Sequence, residues 1–308
     1  MMTRIRSRMH GFEAGVGLLL TVTAAVAFSA KAIFVKLAYR YHVDAVTLLM
    51  LRMAFALPFF VTIAWREEKR AAMRLSGRQV AALIGLGLSG YYLAALLDFI
   101  GLQYISAGLE RMVLFAYPTL TVMLSLLLFG QKPGRHAPLA LLLSYAGIAL
   151  AVAHEVRLSE GHVALGTALV LASAMAYALY LVGSGHMIGQ LGTARFTAHA
   201  MVVSALAVIV QFLLTRDTAL LAQPLPVYVL ALAMAVISTV LPAFLMSAGI
   251  RRIGAGTAAM AASVGPVSTI VLAALILGEP ITLLQLAGLL LVLSGVGLIG
   301  MGRMTKSS

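Results

Sequence analysis

Residues 101–118 read GLQYISAGLERMVLFAYP, and residues 249–266 read GIRRIGAGTAAMAASVGP. At a constant offset of 148 the pairs Gly101/Gly249, Ile105/Ile253, Ala107/Ala255, Gly108/Gly256 and Pro118/Pro266 coincide. Carried on to 101–150 over 249–298, the comparison gives fifteen identities in fifty positions without a gap, Thr121/Thr269, Gly130/Gly278 and Gly147/Gly295 among them. Leucine pairs count for little, because apolar helices match by chance. Glycine and proline pairs count for more, since each marks a backbone requirement such as a turn, a close approach or a kink. The chain is built from an internal repeat.

The repeat lies in a lipid-soluble chain. Of 308 residues 62% are hydrophobic and 10% charged, with a mean hydropathy of +1.02. A soluble domain carries about 25% charged residues, so the composition is that of an all-α integral membrane protein with the lipid bilayer as its first partner. A bilayer core of about 30 Å takes roughly 20 apolar residues per helix. Ten such runs are found, near 14–38, 44–64, 79–99, 105–129, 137–153, 163–185, 196–215, 227–247, 254–277 and 281–302. The absence of cysteine excludes a disulfide framework, a thiolate metal site and a thiol nucleophile. The net charge of +12 does not indicate nucleic acid, because the basic residues lie in short loops between apolar segments. Arg4, Arg6 and Arg8 before an apolar run from Gly15 resemble a signal peptide, but the run is longer than a typical apolar signal core, so an uncleaved first helix is expected.

Ten helices divide into two units of five, 12–154 and 162–302. Five is odd, so the second unit enters the membrane from the opposite side, giving the inverted repeat of many secondary transporters. Loop charge sets the orientation, because cytoplasmic loops keep the excess Lys and Arg. With the N-terminus inside, that side holds fifteen of them: Arg4, Arg6, Arg8, Arg66, Lys69, Arg70, Arg74, Arg78, Lys132, Arg135, Arg195, Arg251, Arg252, Arg303 and Lys306. The other side holds four, Lys36, Arg40, Arg157 and Arg216. Both termini are therefore expected in the cytoplasm, with the protein in the inner membrane.

Each unit has a G-x-x-x-I-x-A-G opening, a mid-helix proline (Pro118, Pro266) and a closing glycine beside Gln131 or Glu279. In this the chain resembles the EamA family of the drug/metabolite transporter superfamily over about residues 12–302. The resemblance implies export or exchange of a small polar metabolite, amino-acid-like in kind, by alternating access through a cavity surrounded by helices 1, 3, 4, 6, 8 and 9. Where many members carry a Trp-Gly or Asn-containing motif in helix 1, this chain reads AVAFSAKAIF, so that stretch transfers no substrate.

Charges inside the apolar runs are the candidates for function, since each costs roughly 2.5–3.5 kcal/mol at a helix centre. Glu110 and Arg111 lie roughly 8 Å below the expected periplasmic surface at about 1.5 Å per residue, and Lys31, Arg52 and Asp98 share that layer. Three positive and two negative residues leave one positive charge over, which favours an anionic or zwitterionic cargo. Glu110 should hold a basic partner, Lys31 or Arg52, while Arg111 points about 100° away around the helix and braces elsewhere. Lys31 and Asp98 are also near enough to the surface to snorkel. At the repeat offset the acidic residues and Arg111 become Met246, Ala258 and Ala259, so the fold itself does not require these charges.

Polar stripes extend the candidate site. Ser106, Glu110, Tyr117 and Thr121 fall on one face of helix 4, Gly87, Tyr91 and Asp98 on one face of helix 3, and Ser173, Tyr177, Tyr180 and Ser184 on one face of helix 6. Pro118 and Pro266 are expected to kink helices 4 and 9. GLGLSG at 85–90 matches a dinucleotide fingerprint but sits within an apolar helix, where close helix packing explains it. His199 has no second ligand in sequence and reads as a hydrogen-bonded interior histidine. No cofactor is implied; the partners implied are a small-molecule substrate and, as a further candidate, a coupling proton. Two other classes stay open: an intramembrane enzyme using the Glu110 layer, and a membrane scaffold. The charge count makes one prediction. Topology reporters fused after Arg74 and after Ser308 should both read cytoplasmic, and one near Arg157 periplasmic; a periplasmic C-terminus would overturn the orientation.

Overall fold

The structure is a computed structural model and describes residues 2–71, 73–130, 136–158 and 162–304. Among the described residues there are ten helices and no strands: α1 (Met2–Tyr39), α2 (Ala45–Arg70), α3 (Gly77–Gly101), α4 (Ala107–Phe129), α5 (Ala137–Leu158), α6 (Val163–Leu191), α7 (Thr193–Thr215), α8 (Leu225–Gly254), α9 (255–277) and α10 (Leu283–Met304). Eight are long and apolar enough to cross a membrane, and Val264–Leu277 and Leu283–Leu298 are shorter apolar stretches of α9 and α10. Several boundaries differ from expectation, α2, α6 and α8 continuing to Arg70, Leu191 and Gly254. The first helix runs back to Met2, and the fifth continues to Leu158.

The helix ends follow local chemistry. Asp44 caps α2 by accepting from the amides of Val46 and Thr47 at 3.0 and 3.2 Å, Ser76 and Gln79 form a reciprocal capping box on α3, and Ser106 accepts from Leu109 N on α4. Each side chain satisfies an amide that the first turn leaves without a partner. At their far ends α4 and α9 stop at Gly130 and Gly278, whose φ of 62° and 74° lies in the left-handed region that only glycine enters without cost.

The repeat is written in the irregularities of the backbone. A π-helical turn at Leu88–Leu93 in α3 recurs at Val236–Val240 in α8, 148 residues on (236 − 88). The interruption of α4 at Phe115 recurs in α9 at Ser263, again 148 on (263 − 115). Pro118 and Pro266 stand three residues beyond these breaks, where each ring excludes the carbonyls of Leu114 and Ala262 from a regular hydrogen bond. Pro242 plays the same part after the π turn of α8, yet α3 has Ala94 at the equivalent position and keeps its turn, so proline is not the common cause.

Packing obeys the same symmetry. α1 packs on α8 and α9 as α6 packs on α3 and α4, while α2 pairs with α7 and α5 with α10. A Cβ added to Gly101 would stand 3.1 Å from the carbonyl oxygen of Gly166, and one on Gly249 would stand 3.0 Å from that of Gly17. These are the same contact in the two halves. On α5 and α10 a Cβ at Gly147 would meet Gly288 O at 2.5 Å, and one at Gly295 would meet Ala140 O at 2.6 Å. Lipid supplies no hydrophobic drive between helices, so close backbone approach at small residues does much of the holding.

The α2/α7 pair is pinned at both ends instead. Asp44 meets Arg216 Nε at 3.1 Å, and Glu68 takes two bonds from Arg195 at 2.8 and 2.9 Å. Burial works against the Asp44 charge, but hydrogen bonds from Thr47 and Arg216 outweigh it and hold the carboxyl below its ordinary value. The glycine contacts predict a contrast. Gly147→Ala and Gly295→Ala should each lower thermal stability in detergent by about 1–3 kcal/mol through overpacking, whereas Gly85→Ala, with nothing within 4 Å of its Cβ, should be neutral or mildly stabilising.

Candidate functional site

The charged layer forms where α1, α3 and α4 meet. Lys31 projects from α1, Asp98 sits in the last turn of α3 and Glu110 one turn into α4. The Lys31 ammonium donates to Asp98 Oδ2 and, at 3.2 Å, to Glu110 Oε1. Lys31 keeps 15% of its side-chain surface, whereas Glu110 keeps none. Asp98 Oδ1 and Glu110 Oε2 are buried without a hydrogen-bond partner. Of the two partners left open for Glu110, Lys31 is the one in contact, and it is shared with Asp98.

Arg52 is placed otherwise. Its Nε donates to Thr239 Oγ1 at 3.1 Å, and its guanidinium lies 5.5 Å over the ring of Phe99. It does not pair with Glu110. The reason lies in the π turn of α8, which presents Thr239 to α2; that hydroxyl in turn donates to Met234 O, five residues back. Arg111 does brace another helix. Its NH2 lies 3.5 Å from Ser29 Oγ on α1 and 2.8 Å from where a Gly265 Cβ would be, so a larger residue at 265 would displace the guanidinium. Its Nε is buried with no partner, and among the described residues no carboxylate lies in salt-bridge range of it.

The start of α4, which aims Glu110, is held by two carboxylates that sequence reasoning did not single out. Glu155 of α5 accepts from Ser106 N and Oγ, both at 2.6 Å. Glu279, just after α9, accepts from Ala107 N at 2.9 Å and Gly108 N at 3.2 Å. Anionic groups belong at this end of a helix, where free amides and the macrodipole converge. Nothing local in the sequence tells which remote carboxylate will do this. The Ser-Ala-Gly start of the helix was the only available signal.

Tyrosines occupy the next level. The Tyr91 and Tyr180 hydroxyls are 3.1 Å apart, Tyr177 stacks on Tyr180 at 5.7 Å, and Tyr117 meets Tyr177 edge-on at 5.2 Å. This joins α3, α4 and α6, and Tyr117 and Tyr177 lie within the field of the Arg111 guanidinium.

The expected stripes need correction. The break at Phe115 divides α4, so Glu110 turns to Lys31 while Tyr117 turns to Tyr177. Ser106 is occupied by Glu155, and Thr121 donates to Tyr117 O within its own helix. On α6, Ser173 donates to Ala94 O and Ser184 to Leu181 O. The result is an ion cluster and a tyrosine cluster rather than three continuous polar faces. The Gly-rich motif packs closely at two positions: a Cβ on Gly87 would meet Ala200 O at 2.8 Å and one on Gly90 would run into the Tyr180 ring. His199 is hydrogen-bonded, with Nδ1 at 2.8 Å from Arg195 O and Nε2 at 3.2 Å from Glu68.

Comparison with known proteins locates this architecture. The sequence model of the EamA-like transporter family matches residues 15–153 and 164–301. The uncharacterized transporter YcbK of Bacillus subtilis (strain 168) is 32% identical over 290 residues, covering 90% of each chain. The uncharacterized transporter sll1319 of Synechocystis sp. is 24% identical over 326 residues, covering 95% of each. A solved crystal structure of 16% identity shares the fold at a TM-score of 0.63, over 95% of this chain and 99% of that one.

The geometry predicts an order of stabilities. Lys31→Met leaves two buried carboxylates without their cation, and breaking a buried pair in this way costs about 3–5 kcal/mol. Adding Asp98→Asn and Glu110→Gln removes the orphaned charges, so the triple variant should melt higher in detergent than Lys31→Met alone. Arg52→Met combined with Glu110→Gln should be additive, because the two groups do not touch. A triple variant no more stable than the single one would refute the shared pairing.

Proposed function

The chain belongs to the EamA-like transporter family, and we propose that it is a secondary transporter exporting a small amino-acid-like metabolite, anionic or zwitterionic, across the inner membrane by alternating access. The repeats 12–154 and 162–302 are the two units that rock about the site, with both termini in the cytoplasm.

One observation carries the substrate class. Lys31 is held by two carboxylates and Arg52 by Thr239 and Phe99, whereas Arg111 reaches only a hydroxyl and keeps a buried Nε with no partner. A planar fork of donors without a carboxylate is suited to take one from a substrate. Ser29 on α1 and Gly265 on α9 place it where the two halves meet, the usual position of a binding site in inverted-repeat transporters. Tyr117 and Tyr177 then form the wall against which the rest of the solute lies. Lys31 and Asp98 position Glu110 and hence the start of α4, and Thr121 supports Tyr117 through the backbone.

Metabolite profiling of medium from overexpressing and deletion strains identifies the solute, and reconstituted vesicles measure its flux. A charge-assisted hydrogen bond is worth about 1.5–3 kcal/mol, so Arg111→Gln should lower kcat/KM for a carboxylate solute by roughly 10- to 150-fold. Arg111→Lys should recover part of that loss, and Arg52→Gln should change it little. Unchanged flux in Arg111→Gln, or a cationic solute as the one moved, would overturn the assignment.

A further inference from the structure

We propose that the Lys31–Asp98–Glu110 cluster is the proton-binding site that couples transport to the proton gradient. The inference rests on the transporter reading above but stands on separate residues.

Two carboxylates converge on one ammonium. Counted by direct contact alone, the three ionised groups carry one negative charge more than positive; Arg111 lies in the field of Glu110 and Arg52 in that of Asp98, but neither reaches the carboxylate oxygens. The excess shows in the geometry, since Asp98 Oδ1 and Glu110 Oε2 are both buried and both lack a partner. An unpaired buried acceptor bears its full desolvation cost. What could satisfy it is limited by space. The two oxygens are sealed from solvent, so neither an ammonium head group nor a hydrated cation fits against them. A proton needs no room. It binds one carboxylate oxygen, turns that group into a hydroxyl donor, and leaves a neutral carboxylic acid beside a one-to-one pair between the other carboxylate and Lys31.

The other charged groups around the cluster do not take over this task. On α1, the Tyr39 hydroxyl donates to Phe99 O at 2.5 Å. Lys36, also on α1, lies in the field of Glu279, Glu155 and Glu110 together. Arg52 on α2 is bound to Thr239, and Arg111 on α4 reaches Ser29. Glu155 and Glu279 are taken by the amides at the start of α4. Among the described residues, neither Arg52 nor Arg111 forms a salt bridge with Asp98 or Glu110.

Position explains the coupling. Asp98 and Glu110 flank the α3–α4 connection, and their shared cation sits on α1. Any movement that draws α1 away from that connection parts Lys31 from both acids at once and opens them to water. The bound proton can then leave or be replaced. Each cycle therefore consists of one carboxylate taking a proton on one side, COO⁻ + H⁺ → COOH, and returning it on the other, with Lys31 an ammonium throughout.

The test needs no substrate. Full-length protein in lipid nanodiscs is titrated with pH while infrared spectra are recorded in light and heavy water. The wild type should show a buried protonated-carboxyl C=O stretch at neutral pH that shifts in heavy water and is lost on alkalinisation. Glu110→Gln and Asp98→Asn should each abolish it, because either leaves a one-to-one pair with Lys31. Lys31→Met should strengthen it, and Arg111→Gln should retain it. Two independent acid variants guard against the failure of one to fold. The assignment is overturned if the wild type shows no such band at neutral pH, or if the band survives in both acid variants. Loss of this band with Arg111-dependent solute flux intact would remove the proton site and leave the transporter reading standing. A normal band with no solute moved would do the reverse.

Discussion

One ammonium serving two carboxylates is the constraint around which the first half of this molecule is arranged. At 3.2 Å and an effective dielectric of about 20, the Lys31–Glu110 attraction is worth about 5 kcal/mol when both groups are ionised. Removing each ion from water costs several kcal/mol in return. The two sides nearly cancel, so the cluster adds little net stability. What it fixes is arrangement. α1, α3 and α4 cannot shift independently without exposing a charge that has no other partner, and the placement of Arg111, Ser29 and the tyrosines follows from that.

The two halves share a backbone and differ in chemistry. The π turns of α3 and α8, the breaks at Phe115 and Ser263, the left-handed Gly130 and Gly278 and several glycine contacts recur at matched positions, while a further π turn at Ala273–Leu277 has no counterpart in α4. These features set the approach of helices, and both halves need the same approach for the inverted pairs to interlock. The charges do not recur: the partners of Glu110 and Asp98 at the repeat offset are Ala258 and Met246. A scaffold that must look alike from both faces has placed its ionisable groups on one side of its symmetry. Under the proposed transport such an asymmetry would give the two faces different binding properties, since a symmetric site would bind equally from either.

The fold was legible because its determinants are backbone requirements that particular residues announce. Glycine at 101, 249, 147 and 295 and proline at 118 and 266 marked contacts and breaks that the structure contains. The ion cluster was half legible. Depth counting grouped Lys31, Arg52, Asp98, Glu110 and Arg111, but could not choose the partner of Glu110, because a long side chain reaches in directions that spacing along a helix does not fix. The π turns were hidden as well, and with them the capture of Arg52 by Thr239: one inserted residue rotates everything that follows it, and α3 has no proline to announce the insertion. Regular helical wheels drawn through Phe115 failed for the same reason. Glu155 and Glu279 were invisible as caps, since a helix start can be satisfied by any carboxylate that the fold brings to it.

These caps bear on how such a molecule can open. Glu155 and Ser106 belong to the same half, so their bond can travel with α4 as a unit. Glu279 belongs to the other half and bonds the amides of Ala107 and Gly108 across the division. Rocking of one half against the other would part the second contact and keep the first. The amides it frees would face the opening side, where water replaces the lost bonds, so the net cost is about 1.5–3 kcal/mol per bond, the range for bonds to a charged group. The α2/α7 pair behaves differently, being tied between halves at both faces by Asp44–Arg216 and Glu68–Arg195. A pair fastened at both ends can serve as an axle but not as a gate. On the proposed alternating access, movement would fall to the helices that carry Lys31, Asp98, Glu110 and Arg111, and opening would disturb the charged cluster.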